Sequence, residues 1–135
     1  MLFISDSLVP EDSGGCARGP FVFVREKYKD DKGLIAHEYE HVHQWLVLSA
    51  LGIPVAVLLY ALGLLQYISY TPMFMLLHPL LYKFIPKYRL WAEVQCYKLQ
   101  ASYDKVDTLP FFAKVIATKY NLEISADKVL ELLRK

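Results

Sequence analysis

The chain has 135 residues, a length that predicts one domain with a hydrophobic core. Its formal net charge is +1, which excludes the strongly basic surface of a nucleic-acid-binding protein, so no nucleic acid is expected as a partner. Hydrophobic residues make up 55% of the chain, more than is usual for a soluble domain, and this indicates a surplus of apolar surface.

Residues 1–32 are predicted to form a loop and one short strand. Their beginning is acidic and lacks the basic and apolar regions of a signal peptide, so secretion is not expected. The β-branched and aromatic run at residues 21–25 predicts the strand, whose edge could pair with an extended peptide. Asp30 or Asp31 is expected to cap the helix that follows.

The helix predicted over residues 33–51 contains the most informative motif of the chain. His37-Glu38-Tyr39-Glu40-His41 matches H-E-x-x-H, in which two histidines four positions apart lie on one helical face. Neutral imidazole is the commonest zinc ligand, so both rings can bind one cation. Glu38 can then act as a general base. The alternative is a hydrogen-bonded histidine pair on a solvated helix.

Residues 52–85 are predicted to form an apolar helical hairpin, with helix starts at Pro54 and at Thr71-Pro72. No Asp, Glu, Lys or Arg occurs between positions 45 and 82, and residues 46–65 could cross a hydrocarbon core of about 30 Å. Three interpretations stay open: a pair of core helices, a membrane-inserted or re-entrant hairpin, and an interface with a partner protein.

Basic residues flank the apolar hairpin on both sides, which favours membrane insertion with the rest of the chain in the cytoplasm. A membrane is therefore an expected partner. The expected location is the cytoplasmic face of the membrane, or the cytoplasm if the hairpin is a buried core.

A helix predicted over residues 86–104 has one carboxylate, Glu93, among apolar neighbours. Burying a carboxylate without a partner is costly, and a metal held by His37 and His41 would be such a partner. The alternative is an ordinary ion pair between Glu93 and Arg89, four positions apart on the same helix.

Residues 105–135 are predicted to form two short helices that pack against the preceding one. The first begins at Thr108-Leu109-Pro110, has Phe111 on its inner side and ends at Asn121 in a left-handed cap. The second begins after Ser125, which is expected to be its N-cap. The two cysteines, Cys16 and Cys96, are expected to be free thiols rather than a disulfide.

The motif HEYEH on one helix, followed by EVQCY on a later one, resembles the gluzincin zinc metallopeptidases, whose third metal ligand is a downstream glutamate. The segments FVFVRE, KDDKGLIAHEYEHVHQW and YRLWAEVQCYKLQ resemble small zinc peptidases of bacteriophages and prophages, over roughly residues 20–135. The long apolar insert departs from those small enzymes and is similar to the transmembrane segments of membrane-embedded gluzincins.

The resemblance implies a mainly α-helical, zincin-like domain of the α+β class, with one short β element and the apolar hairpin between the two ligand helices. It implies Zn²⁺ bound by His37, His41 and Glu93, with an open fourth position. Glu38 would be the catalytic base, and a peptide or protein would be the substrate. Candidates for stabilising the oxyanion are Tyr88, Arg89, Tyr97 and His78.

Zinc-dependent hydrolysis of peptide bonds is therefore the predicted function. A carboxylate that does not touch the metal, Glu40 or Asp104, is expected to orient a ligand histidine through a hydrogen bond. The alternative function is a non-catalytic, metal-stabilised protein that associates with a membrane or a partner, of the kind that bacteriophages could encode.

Overall fold

A computed structural model describes residues 1–120 and 122–135. The protein is mainly α-helical with a small sheet near the amino terminus, as the sequence predicts. Strands β1 (Leu2–Ile4), β2 (Gly15–Arg18) and β3 (Phe21–Val24) form this sheet in the order β1-β3-β2. Strand β3 pairs in parallel with β1 and antiparallel with β2.

The predicted strand at residues 21–25 is confirmed as β3. The prediction that this strand has a free edge for pairing with a peptide is wrong. Strand β3 is central because β1 and β2 occupy both of its sides, and Val22 and Val24 are fully buried against Val42. Strand β2 forms an edge of the sheet instead. Its sequence, Gly-Cys-Ala-Arg, has no β-branched or large aromatic residue, so local propensity did not indicate a strand.

Two consecutive helices, α1 (Lys32–Ala50) and α2 (Gly52–Ala61), follow the sheet with a break only at Leu51. Asp31 is the N-cap of α1, because its side chain accepts a hydrogen bond from the Leu34 amide at 2.9 Å. The structure thus chooses Asp31 over Asp30. Gly33 lets α1 approach the neighbouring helix closely, since a Cβ there would lie 3.1 Å from the Gln100 carbonyl oxygen.

The predicted helix start at Thr71-Pro72 is wrong. A 3₁₀ helix covers Leu65–Leu76 with Pro72 inside it, and α3 (Leu77–Phe84) begins only afterwards. A capping threonine would accept a bond from an amide further along the chain, whereas the Thr71 hydroxyl donates backwards to the Ile68 carbonyl at 2.8 Å. The 3₁₀ helix runs back along α2. The predicted hairpin is therefore present, but its second leg is a 3₁₀ helix and not the α-helix that was expected to begin at Thr71-Pro72.

Helices α4 (Pro86–Ala101), α5 (Leu109–Lys119) and α6 (Ala126–Arg134) complete the fold. Their shared core is formed by Val94, Tyr97, Phe112, Ala113, Ile116, Val129 and Leu133. Ser125 caps α6 as predicted, by accepting from the Lys128 amide. Phe111 is 63% exposed, so its predicted inward position is wrong, because the neighbouring Phe112 fills that place beside Tyr97. The predicted cap at Asn121 lies outside the described residues.

Helix α1 packs along α4, and this pairing brings the H-E-x-x-H motif opposite Glu93. Helices α5 and α6 support α4 from its other side through the shared core. The fold therefore holds α1 and α4 together while leaving the continuation of α1 into α2 without comparable cover.

We expect Asp31→Ala to lower the free energy of unfolding by about 1 kcal/mol, because the Leu34 amide loses its capping acceptor. Asp30→Ala is the matched control, since no capping bond involves the Asp30 side chain, and it should change stability by less than about 0.5 kcal/mol. Urea denaturation followed by circular dichroism measures both. Equal losses in the two variants would contradict the assignment of the cap.

Candidate metal centre

The predicted ligands lie together in the interior, between α1 and α4. Glu93 is only 1% exposed, and the side chain of His37 is buried with it. Nε2 of His37 is 3.7 Å from Oε2 of Glu93, and Nε2 of His41 is 3.4 Å from Oε1. The two histidines thus present the same ring nitrogen to the two oxygens of one carboxylate.

This arrangement fits a bound cation, and one unpaired polar atom supports the fit. Within the described residues, Oε2 of Glu93, which faces Nε2 of His37 at 3.7 Å, is buried without a hydrogen-bond partner. Buried polar groups are normally paired, so an orphaned carboxylate oxygen beside an imidazole nitrogen is an unusual feature. Two imidazoles and one carboxylate are a donor set that suits Zn²⁺.

The charges of these residues in the metal-free protein follow from their surroundings. Burial lowers the pKa of His37 to about 4, so its ring is neutral near pH 7, as a metal ligand must be. Burial would also lower the pKa of His41, but its contacts with Cys96 and Glu93 raise it well above the usual value. Burial acts to raise the pKa of Glu93, yet the hydrogen bond and charge of His41 lower it. His41 and Glu93 therefore form a buried ion pair.

Cys96 provides a different potential ligand, on the other edge of the His41 ring. Ligand atoms of His37, His41 and Cys96 lie within 4.8 Å of one another, and Sγ of Cys96 is 3.5 Å from Nδ1 of His41. Glu93 faces Nε2 of the same ring, so one cation on His41 cannot use both residues in these positions. Burial raises the pKa of the Cys96 thiol to about 11, which disfavours the thiolate that a metal requires.

Gln44 holds the edge of the His41 ring that faces away from Glu93. Its Oε1 lies 3.3 Å from Nδ1 of His41, and its Nε2 donates to the Ala92 carbonyl at 3.2 Å. This amide would fix Nδ1–H as the donor and leave Nε2 free to bind a metal. The sequence shows only that Gln44 lies one turn after His41; its partner on α4 is 48 positions away.

The two carboxylates that were expected to orient a ligand histidine, Glu40 and Asp104, do not contact His37 or His41 in the described structure. Glu40 pairs with His43 near the surface at 3.4 Å, and Asp104 accepts from the Thr108 hydroxyl at 2.7 Å. The expectation that either orients a ligand histidine is therefore wrong. The uncharged amide of Gln44 contacts His41 instead, which avoids a second buried negative charge near Glu93.

Tyr82 of α3 is a further neighbour of Glu93 that the sequence did not indicate. Its hydroxyl donates a hydrogen bond to Oε1 of Glu93, and burial together with this negative neighbour raises the pKa of Tyr82. The alternative of an Arg89–Glu93 ion pair is wrong. The guanidinium of Arg89 donates instead to the carbonyls of Tyr82, Lys83 and Tyr120.

Glu38 lies beside strand β2 and faces a cavity between the sheet and the helices. A Cβ at Gly15 would come within 3.0 Å of Cγ of Glu38, so glycine makes room for this side chain. Burial raises the pKa of Glu38 to about 7, while the charge of His41 opposes that change. The cavity has a volume of about 840 Å³ and is also lined by His37, His41 and Glu93.

Of the four candidates for oxyanion stabilisation, two line the cavity and two do not. His78 and Tyr97 line the cavity, and the His78 ring is held by a 2.7 Å hydrogen bond between its Nδ1 and the Tyr88 hydroxyl. Arg89 is occupied by three carbonyl groups. His78 and Tyr97 are thus the two candidates that can reach a molecule in the cavity.

No protein-family model, curated protein or solved structure matches this chain.

We expect Tyr82→Phe to lower the free energy of unfolding of the chelator-treated protein by about 1.5–3 kcal/mol. The reason is that the charged carboxylate of Glu93 loses the hydrogen bond from the Tyr82 hydroxyl. Tyr103→Phe is the matched control, because Tyr103 is exposed, and it should change stability by less than about 0.5 kcal/mol. Chemical denaturation measures both. An unchanged stability in Tyr82→Phe would show that its hydroxyl does not support the carboxylate.

Proposed function

We propose that this protein is a zinc-dependent peptidase of the gluzincin type, in which His37, His41 and Glu93 hold the metal. The observation that supports the proposal most strongly is the buried Glu93 carboxylate, whose two oxygens face Nε2 of both histidines. A bound zinc ion would act as a Lewis acid and increase the acidity of water.

Glu38 is the proposed general base. Its side chain lines the same cavity as the three proposed ligands, and its pKa of about 7 suits a group that accepts a proton and then returns it near neutral pH. In the reaction it would take a proton from the attacking water and pass it to the nitrogen of the leaving amine. The backbone of Ala17 favours its ionised form.

Strand β2 is the proposed binding site for the substrate backbone. It forms one edge of the sheet, and its residues line the cavity beside Glu38. An extended peptide can add to such an edge through main-chain hydrogen bonds, which recognise any sequence in strand conformation. This pairing would place a peptide bond over the cluster while side-chain preference is set elsewhere in the cavity.

We expect Glu38→Gln to keep its zinc and to lose activity by about 10²–10⁴-fold, because the amide cannot accept the proton. Glu40→Gln on the same helix is the control and should keep near wild-type activity, since Glu40 pairs with His43 at the surface. The assay follows cleavage of fluorescently labelled casein by zinc-loaded protein. Undiminished cleavage by Glu38→Gln would contradict the proposed base.

We expect Glu93→Gln to weaken zinc binding by more than about 100-fold, because loss of a second-shell partner alone costs 10–100-fold. Cys96→Ala should change the affinity by less than about tenfold. Competition with a chelating dye measures both. In the cobalt-substituted protein, no thiolate-to-cobalt charge-transfer band should appear.

A cobalt–thiolate band that disappears in Cys96→Ala would support the alternative function instead. In that case His37, His41 and Cys96 would form a non-catalytic metal site, which is the arrangement favoured by the close approach of their ligand atoms. Such a protein would use its metal for stability, and Glu38 would have no catalytic part.

A further inference from the structure

Residues 46–76 form a hairpin, called here the apolar hairpin, that projects from the metal-binding part of the chain. Its outward leg, residues 46–61, is almost entirely α-helical and its return leg is the 3₁₀ helix Leu65–Leu76. At 1.5 Å per residue the outward leg is about 24 Å long. At 2.0 Å per residue the return leg is also about 24 Å long. The two legs are therefore about equally long.

Contacts between the legs hold the hairpin together. At its base, the Trp45 indole donates to the Met75 carbonyl at 2.8 Å. Higher up, a Cβ at Gly52 would lie 2.9 Å from the Thr71 carbonyl oxygen, so glycine permits a close crossing of the backbones. Small residues at crossings of this kind are typical of helices that pack together in lipid.

The outer surface of the hairpin is apolar and uncovered. Of the large hydrophobic side chains that are exposed in the described structure, half belong to residues 46–76. Among the described residues of α2 only Gly52 is buried, and the described return leg has no buried residue. The combined helix Lys32–Ala61 is long and apolar enough to cross a membrane, yet its most apolar stretch is only 22% buried, unlike a core helix.

Polar groups at the tip and on the return leg of the hairpin are paired within it, whereas Oγ of Ser49 on the outward leg is buried without a hydrogen-bond partner among the described residues. At the tip, the amides of Leu62, Gly63 and Leu64 donate to the carbonyls of Leu58, Tyr60 and Leu59. Along the return leg, the hydroxyls of Ser69 and Thr71 donate to the carbonyls of Gln66 and Ile68. In water such turns need no internal partners, whereas in hydrocarbon an unpaired backbone group costs several kcal/mol.

The charges near the base suit the surface of a bilayer. No charged residue occurs between positions 45 and 82, and the first ones afterwards are Lys83 and Lys87. Both are exposed, so their ammonium groups can reach lipid phosphates.

We propose that the apolar hairpin inserts into a lipid bilayer, with both of its ends at the same membrane surface. Insertion does not depend on catalysis, so it can be tested independently of the proposed peptidase function. His41 is five residues before the hairpin, which places the metal cluster only about 8 Å along α1 from the start of the apolar surface.

The test is flotation of the full-length protein with vesicles of phosphatidylcholine and phosphatidylglycerol. Val57→Asp places a charge on the outward leg, where the valine is 63% exposed, and Val106→Asp is the matched control in a loop, where the valine is 72% exposed. We expect the wild type and Val106→Asp to float equally. Val57→Asp should partition on the order of 100-fold more weakly, because a central carboxylate is costly in hydrocarbon.

A second measurement does not depend on the stability of Val57→Asp. An environment-sensitive dye is attached at Val57→Cys or at Val106→Cys, each combined with Cys16→Ser. Lipids with a nitroxide on the acyl chain should quench the dye at position 57 and leave the dye at position 106 unquenched. Glu38→Gln, which is inactive under the proposed function, should float like the wild type.

Three results would overturn the proposal. One is equal flotation of wild type and Val57→Asp. Another is an equal loss of flotation in Val57→Asp and Val106→Asp, which would indicate nonspecific adsorption. The third is a stable lipid-free dimer in which the dye at position 57 is shielded from water but is not quenched by nitroxide lipids, which would identify a second copy of the chain as the occupant of this surface.

Discussion

The energetic cost of burying the Glu93 carboxylate is the constraint on which the rest of the site depends. A buried ion loses several kcal/mol of hydration unless charged or hydrogen-bonding partners replace the water. Helix α1 supplies two imidazoles to Glu93, and α3 supplies the Tyr82 hydroxyl. The core of α5 and α6 holds α4 in place. Three separate parts of the fold therefore position or satisfy one carboxylate.

The parts of the site that depend on helical spacing were predictable from the sequence. His37, Glu38 and His41 occur on one helix, and an isolated carboxylate in an apolar run marked Glu93. Their partners were not predictable, because Gln44 acts through a carbonyl 48 positions away and Tyr82 comes from a helix of its own. Neither residue has a local pattern that distinguishes it from an ordinary polar or interfacial side chain.

The same distinction applies to the fold. Asp31 and Ser125 cap their helices as predicted, because a cap uses an amide only three residues away. Strand β2 was missed because its pairing with β3, not its own composition, makes it a strand. The 3₁₀ helix was missed for a related reason: Thr71-Pro72 is a normal helix start in isolation, but the close crossing at Gly52 holds the Thr71 backbone against α2. Local chemistry was informative where the contacts were local.

The nearly continuous helix formed by α1 and α2 buries polar side chains in its first part and exposes apolar side chains in its second part. In the first half of α1 the side chains of His37, Glu38 and His41 face the interior, whereas from Leu46 onwards most of the apolar side chains are exposed. Trp45 lies at the boundary: its ring is near Gly19 of the β2–β3 turn, and its indole nitrogen binds the return leg at Met75. Because a helix is rigid over this short distance, the position of the apolar hairpin determines the orientation of the cluster of His37, His41 and Glu93. A bilayer around the hairpin would therefore hold the cavity at a constant height above the lipid surface.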